Sequence, residues 1–374
     1  MQYVTQTIEN FKNLAETMDV VLFGSGEYCM RFLNRIGDFT DKVKYILDNG
    51  ENPNNKLYGI PIVAPDTLKD MDPLHTLAVI TAEDDIVKLY EQIQKMGDFT
   101  IMVQKLMMHD IFPIVSETLY KNRHHIKTVS DLLYDDKSRK IYHEVIKRRI
   151  LFGTCDFSDL IVKGEREYRI PFLYSENKPK DEVILDCGAY KGDTLKSFIH
   201  TFGPTLKRIY SFECMEDSLC ELENTASCMR HKKYAPEIVI MPYALSDHED
   251  VMSFMKISNQ PAASHLMESK NYAKSIHSEG NYVKVNVKTI DSLIPEDEKV
   301  TYIKMDIEGG EYEAILGAKH VIQKNKPKLA ISIYHNGEDY YRLPLLIKKL
   351  VPEYKIAIRH HKKIHVDTDM YCWC

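Results

Sequence analysis

A chain of 374 residues with 44% hydrophobic and 28% charged side chains carries enough apolar material for a sizeable core in each of two domains. Its formal net charge of −6 argues against a general nucleic-acid binder, because neutralising phosphate takes clustered cations. The basic runs His231-Lys232-Lys233 and Arg359-His360-His361-Lys362-Lys363 are short. Eight cysteines occur without a C-x-x-C pair, and neither a signal peptide nor a run of about 18 apolar residues is present. The chain therefore reads as a reduced cytoplasmic protein without a membrane span.

Residues 1–115 read as a small α/β domain. Val20 to Phe23 predict a strand, Gly24-Ser25-Gly26 a turn, and Tyr28 to Ile36 a helix, followed by a second strand over Val43 to Asn49. The dinucleotide fingerprint needs a third glycine that this G-x-G turn lacks, so a dehydrogenase working through this domain is disfavoured. Leu57 to Val63 form a short segment, Pro65 to Lys69 a helix, and Thr76 to Thr81 a further parallel strand. The pattern resembles the Rossmann-like domains that stand ahead of sugar-modifying enzymes. That resemblance makes Gly24, Ser25, Gly26 and Asp48 candidates for holding a nucleotide sugar. A scaffold or dimerisation role, with a homo-oligomer, is the alternative.

Residues 116–180 predict a helical bridge. Ser130 to Tyr134 and Ser138 to Arg149 place apolar side chains at helical spacing. Tyr168 to Tyr174 and the turn Asn177 to Lys180 lead into the next domain, and the bridge is expected to cover its cleft, with its aromatics in the core.

Residues 181–374 hold the most informative pattern. The apolar run Val183-Ile184-Leu185 ends at Asp186 and becomes the turn Cys187 to Gly192 before Asp193 and Thr194 open a helix. Gly188 and Gly192 let backbone approach a ligand at the carboxyl end of a strand. Acids at both ends of the turn repel phosphate and favour a cationic nucleoside such as S-adenosylmethionine. Lys207 to Phe212 predict a second strand ending in Glu213, where an acid would grip both ribose hydroxyls. Ile238 to Asp247 predict a third strand running into a loop that either flanks the adenine or is an ordinary strand end. Val251 to Ile257 and Tyr282 to Val287 enclose the loop Pro261 to Leu266, which reads either as a mobile surface loop or as an acceptor lid in which Ser264 and His265 are the candidate substrate contacts. Val300 to Met305 predict a fourth strand closed by Asp306-Ile307-Glu308-Gly309-Gly310-Glu311, with a helix over Tyr312 to His320. The terminal Cys372-Trp373-Cys374 reads as a packed last strand rather than a redox pair.

The Asp186 to Thr194 loop, Ser211-Phe212-Glu213, Tyr243 to Asp247, Lys304 to Glu311 and Lys326 to His335 together resemble the FkbM-type methyltransferases, in order, from about Lys180 onward. The resemblance implies a class I methyltransferase-type, doubly wound Rossmann-like sheet of seven strands with the last antiparallel. It implies S-adenosylmethionine-dependent O-methylation of a sugar or glycan-type hydroxyl. The implied cofactor residues are Asp186, Gly188, Ala189, Tyr190, Gly192, Asp193, Thr194, Glu213, Cys214, Ala244, Leu245, Ser246 and Asp306. A sulfonium methyl is already activated, so the protein must align the acceptor oxygen and remove its proton. Asp306 and Glu308 are expected to do so, as side chains at i and i+2 of a continuing strand, with Lys304 orienting them and His335 as an alternative base. No ligand spacing is clean enough to predict a metal. Ile307-Glu308-Gly309 differs from the Pro-Pro-aromatic turn of amino-methyltransferases, which favours an oxygen acceptor. The competing reading is a nucleotide-sugar-binding or scaffold protein with a non-catalytic methyltransferase-like domain.

Overall fold

The computed structural model describes residues 4–50, 55–82, 85–108, 111–152, 156–170, 173, 180–256, 265–266 and 281–374. They divide into two compact units, 1–123 with 144–157, and 124–143 with 158–374.

In the first unit, six described strands form one sheet: β1 Asp19–Phe23, β2 Val43–Leu47, β3 Lys56–Leu57, β4 Ile60–Val63, β5 Thr76–Ile80 and β6 Thr100–Val103. Their order is β3-β4-β2-β1-β5-β6, parallel except for the β3–β4 hairpin. Every residue of β5 is buried, as a central parallel strand covered on both faces requires. Helix Glu27–Ile36 buries Cys29, Phe32, Leu33 and Ile36, the i, i+3, i+4, i+7 stripe of a surface helix. Phe32 meets Phe11 edge to face at 5.1 Å. The segment expected over Leu57 to Val63 is a hairpin whose two-residue turn, Tyr58-Gly59, has φ of 52° and 83°. Pro65–Asp70 is a 3-10 rather than an α-helix.

The second unit is built on seven described strands: β7 Glu182–Cys187, β8 Leu206–Phe212, β9 Glu237–Met241, β14 Tyr302–Met305, β15 Lys328–Ser332, β16 Lys355–His360 and β17 Thr368–Trp373. Between β9 and β14 the chain forms β10 Ala244–Leu245, β11 Asp250–Lys256, β12 His265–Leu266 and β13 Asn281–Lys288, a separate four-stranded sheet ordered β10-β13-β11-β12. The main sheet runs β16-β17-β15-β14-β7-β8-β9, and β17 is antiparallel to both β15 and β16. The chain builds outward from β7 to β9 and then returns to β14 beside β7. That reversal makes a topological switch point between β7 and β14. Helix Asp193–Phe202 packs Leu195, Phe198 and Phe202 against the sheet in one core with Ile184, Ile209, Tyr302 and Tyr371.

The strand expected to run into a loop within Ile238 to Asp247 ends at Met241, before Pro242, which has no N–H to continue a ladder; unexpectedly, Ala244–Leu245 then pair in parallel with β13 in the smaller sheet. The helix expected over Tyr312 to His320 divides into Glu311–Leu316 and Lys319–Asn325 around Gly317. A Cβ on Gly317 would lie 2.0 Å from the Ser246 carbonyl oxygen, so this break lets the Ser246 loop approach.

The bridge of 116–180 is divided between the units instead of standing alone. Polar anchors and apolar faces explain the division. In the second unit Tyr142 Oη donates to the Tyr340 carbonyl at 2.8 Å, and buried Arg359 pairs with Asp135 at 2.8 Å and Glu165 at 2.6 Å. In the first, Ser116 Oγ donates to the Arg149 carbonyl at 2.9 Å and Phe152 meets Tyr90 edge to face. Residues Pro261 to Ser264 of the expected lid lie outside the described residues. His265 falls in β12, where its backbone pairs with Met255.

Candidate active site

The turn after β7 is fixed from below by a buried ionic network. Asp186 is fully buried, accepts from Thr194 Oγ1 at 2.7 Å and lies 3.4 Å from Lys304 Nζ. Burial pushes its carboxyl up, against the pull of Lys304 and Thr194. Lys304, on β14, also donates to the Gly188 carbonyl at 2.6 Å and the Cys187 carbonyl at 3.2 Å. The ammonium is thus committed to holding the β7 terminus, a positioning task. Gly188 has φ +80°, and a Cβ there would fall 1.8 Å from the Asp306 carbonyl oxygen. No other residue fits between the two strand ends. Gly192, φ +85°, has the same relation to Thr225, with a Cβ at 2.7 Å.

Above this turn lies a cavity of about 340 Å³, in the range of small-molecule sites. Gly188, Tyr190, Asp193 and Thr194 line it from the turn, Glu213 and Cys214 from the end of β8, and Ala244 and Leu245 from β10. Lys304 lines it from β14, and Asp306 and Glu308 from the turn that follows. Asp186, Ala189 and Gly192 stand behind the turn, and Ser246 is buried beside Gly317. Glu213 accepts from Tyr190 N–H at 3.1 Å and Met215 N–H at 2.8 Å. Burial raises its carboxyl despite those donors.

The other end of the cavity gathers acids around one imidazole. β14 stops at Met305, and Glu308 has φ 60°, so Asp306 and Glu308 are not i and i+2 of a continuing strand. A tight turn brings them together instead, because a left-handed residue reverses the chain that an extended one would prolong. His335, just past β15, places Nε2 at 3.4 Å from Asp306 Oδ1 and 3.3 Å from Glu308 Oε2, and Nδ1 at 3.0 Å from buried Glu311. Burial opposes a charge on His335, but Glu311, Glu308 and Asp306 outweigh it and raise the ring to about 10. The three carboxylates thus favour the charged form of the ring, which weakens His335 as a base. Burial also pushes Asp306 up, but Lys304, His335 and the Tyr168 hydroxyl at 3.1 Å hold it below its usual value. Burial lifts Glu308 to about 7 against the pull of His335.

Several lining residues escaped the sequence reading. Glu167 and Tyr168 come from the bridge, Tyr334 from beyond β15, and Lys362 and Asp367 from the β16–β17 connection. Burial, with Asp367 adding to it, raises Glu167 to about 7. Tyr168, Tyr190, Glu308 and Asp367 all have positive φ, between 47° and 60°. Strained non-glycine backbone gathered around one cavity points to function. No linear motif announces it, since the four residues come from four separate segments.

The candidate corner of the first unit is smaller. Asp48, just past β2, accepts from Ser25 N–H at 2.9 Å, from Ser25 Oγ and from Gly50 N–H at 2.8 Å. Burial raises this carboxyl, yet those donors leave it below its ordinary value. Gly24, φ +107°, faces Ala82 of the neighbouring strand end, where a Cβ would meet it at 3.2 Å, and Gly26 begins helix Glu27–Ile36.

The seven-stranded order, the switch-point cavity and the acid-rich strand ends define the second unit as a class I, Rossmann-like methyltransferase fold. Residues 186–354 match the family model of the methyltransferase FkbM domain, so this unit contains an FkbM methyltransferase domain. The chain also shares its fold with the crystal structure of methyltransferase FkbM from Methylobacillus flagellatus KT, at 22% identity and a TM-score of 0.59, over 99% of this chain and 95% of that one. A putative rRNA methylase from Clostridium thermocellum aligns at 9% identity and a TM-score of 0.29, over 52% of this chain and 86% of that one. No curated protein matches in sequence. Among the described residues no helix is long and apolar enough to cross a membrane.

Proposed function

We propose that the second unit binds S-adenosylmethionine and methylates a hydroxyl of a sugar or glycan-type acceptor. The supporting observation is the Glu213 carboxylate lining a cavity that Gly188, packed against the Asp306 carbonyl, also lines. These residues suit the cofactor: a strand-end acid for the ribose hydroxyls, bare backbone for close approach, and Asp193 and Asp306 for a cationic methionine. When bound, it supplies an activated methyl group. The chain's own residues then align the acceptor and take its proton. Glu308, held near 7 and half open to the cavity, has the proton affinity a general base needs at neutral pH. Asp306, fixed by Tyr168 and kept ionised, orients the acceptor hydroxyl. The described acids around the cavity oppose a polyphosphate and accommodate a neutral polyol. In the first unit, Ser25 and Asp48 are the groups that would meet a nucleotide sugar, and titration of the whole chain with UDP and GDP sugars tests this.

Methyl transfer from isotopically labelled cofactor to a glycan panel, read by mass spectrometry, tests the main proposal. A methylated hydroxyl is expected, with Glu308→Gln slowing turnover by at least ~100-fold, the usual scale of a lost general base. An unchanged rate in that variant would remove Glu308 from the chemistry.

A further inference from the structure

His335 and the two carboxylates of the β14 turn meet in a way that hydrogen bonding does not explain. The imidazole side chain is 8% exposed, and Nε2 stands 3.3 and 3.4 Å from the Glu308 and Asp306 oxygens, yet it directs a hydrogen bond to neither. The three donor atoms all lie within 4.8 Å of one another. Ligands held at about 2.0–2.1 Å by a tetrahedral ion stand roughly 3.3 Å apart, the spacing seen on both edges through Nε2.

The surrounding residues hold these donors as ligands are usually held. Glu311 Oε1 sits 3.0 Å from His335 Nδ1, an ion-pair contact on the far side of the ring from the two carboxylates, although neither ring nitrogen meets a partner in hydrogen-bonding geometry. Glu311 is itself fixed by the Ile307 N–H at 2.9 Å. Tyr168 donates to Asp306 Oδ2 at 3.1 Å, while Oδ1, 3.4 Å from Nε2, also meets the Tyr334 hydroxyl at 3.5 Å. A buried carboxylate behind a histidine and a hydroxyl behind a ligating carboxylate are the outer supports of a metal centre. Asp306 and Glu308 remain 23% and 33% exposed toward the cavity, so the set is open on the side where an acceptor arrives.

We infer that Asp306 Oδ1, Glu308 Oε2 and His335 Nε2 bind one divalent first-row transition ion at the acceptor end of the cavity. Two carboxylates with an imidazole suit such an ion better than magnesium or calcium, which take oxygen ligands. Three protein ligands leave further coordination for an exogenous oxygen, as in catalytic rather than structural sites. Its use there rests on the proposed methyl transfer: the ion would hold the acceptor hydroxyl and make it more acidic, the uncoordinated Glu308 oxygen would take the proton, and the O–CH3 bond would form as the sulfonium S–CH3 bond breaks to leave a neutral thioether.

The test uses the full chain, stripped with a chelator and titrated with Co²⁺ as the probe, while S-adenosylhomocysteine binding is measured separately by calorimetry. The expected result is one Co²⁺ per chain with visible ligand-field absorption, displaced by Zn²⁺. Glu308→Gln and Glu311→Gln should each weaken the ion by at least ~10-fold, with S-adenosylhomocysteine affinity within about threefold of the parent. Absence of saturable one-to-one Co²⁺ binding overturns the inference, as does parental Co²⁺ affinity in Glu308→Gln, whose partly exposed side chain can change without unfolding the protein. Co²⁺ binding without S-adenosylhomocysteine binding supports the ion site and instead removes the cofactor assignment.

Discussion

The two units solve the same geometric problem with different chemistry. Each has a switch point where a glycine with positive φ is pressed against the neighbouring strand end, Gly24 against Ala82 and Gly188 against Asp306. Each places an acid past its second strand that accepts the first turn's N–H, Asp48 from Ser25 and Glu213 from Tyr190. What lies under the turn differs. In the first unit the Thr81 hydroxyl donates to the Gly24 and Phe23 carbonyls, a neutral support. In the second the same carbonyl positions are held by Lys304, balanced by Asp186. A shared backbone frame thus need not carry a shared activity, because the buried groups beneath it set the charge a ligand meets.

The glycines offer the sharpest way to break this comparison. Gly188→Ala drives a Cβ into backbone and should lower stability by on the order of 4 kcal/mol or more, with S-adenosylhomocysteine binding lost. Gly24→Ala meets only a looser contact and should cost about 1–3 kcal/mol, leaving that binding intact. Thermal melts with calorimetry read both, and equal losses would make the two corners equivalent.

The acids come next. Asp186→Ala leaves Lys304 buried with its nearest counter-charge removed and should cost about 3–5 kcal/mol, partly recovered by adding Lys304→Met. Asp48→Ala loses hydrogen bonds at a half-exposed site and should cost about 1 kcal/mol by denaturant titration. If the double variant recovers nothing, the network does not act as a pair.

The remaining effects are small at neutral pH, and that at His361 grows as pH falls. Burial, then His360, Arg359 and Lys362, lower His361 in the second unit from 6.5 to about 3. Its contribution is fully present above pH 6.5 and is lost as pH falls toward 3, since the unfolded chain takes the proton first. His361→Gln should therefore gain on the parent by up to roughly 1.4 kcal/mol per pH unit below 6.5, read as a difference in melting temperature. Asp48, lowered from 3.8, behaves differently: the stability lost in Asp48→Asn should be complete above pH 3.8 and vanish below it.

The sequence disclosed what depends on local pattern. Buried β-branched runs such as Val183 to Leu185 and Thr76 to Ile80 read as parallel strands because both faces are covered, and Asp186, Gly188 and Glu213 stood at their ends as the pattern required. Contacts set by distant segments were not legible. Glu167 and Lys362 reach one cavity from segments nearly 200 positions apart. The Asp306, Glu308 and His335 cluster was hidden because its ligand spacing exists only after the Glu308 turn and the β14–β15 pairing form. The bridge misled for a related reason: its helical periodicity reports which face is apolar, not which core receives it.

The order of strands at one edge governs how this molecule can be made. β17 follows β16 in the chain yet lies between β16 and β15, so β16 cannot join the sheet until β17 has formed. β17 must dock on β15 before or together with the arrival of β16, and the connection between the two strands brings Lys362 and Asp367 to the cavity wall. During synthesis the Gly188 turn and Glu213 emerge well before that wall exists. A nascent chain thus exposes half a binding site and a bare β15 edge until β17 pairs with it.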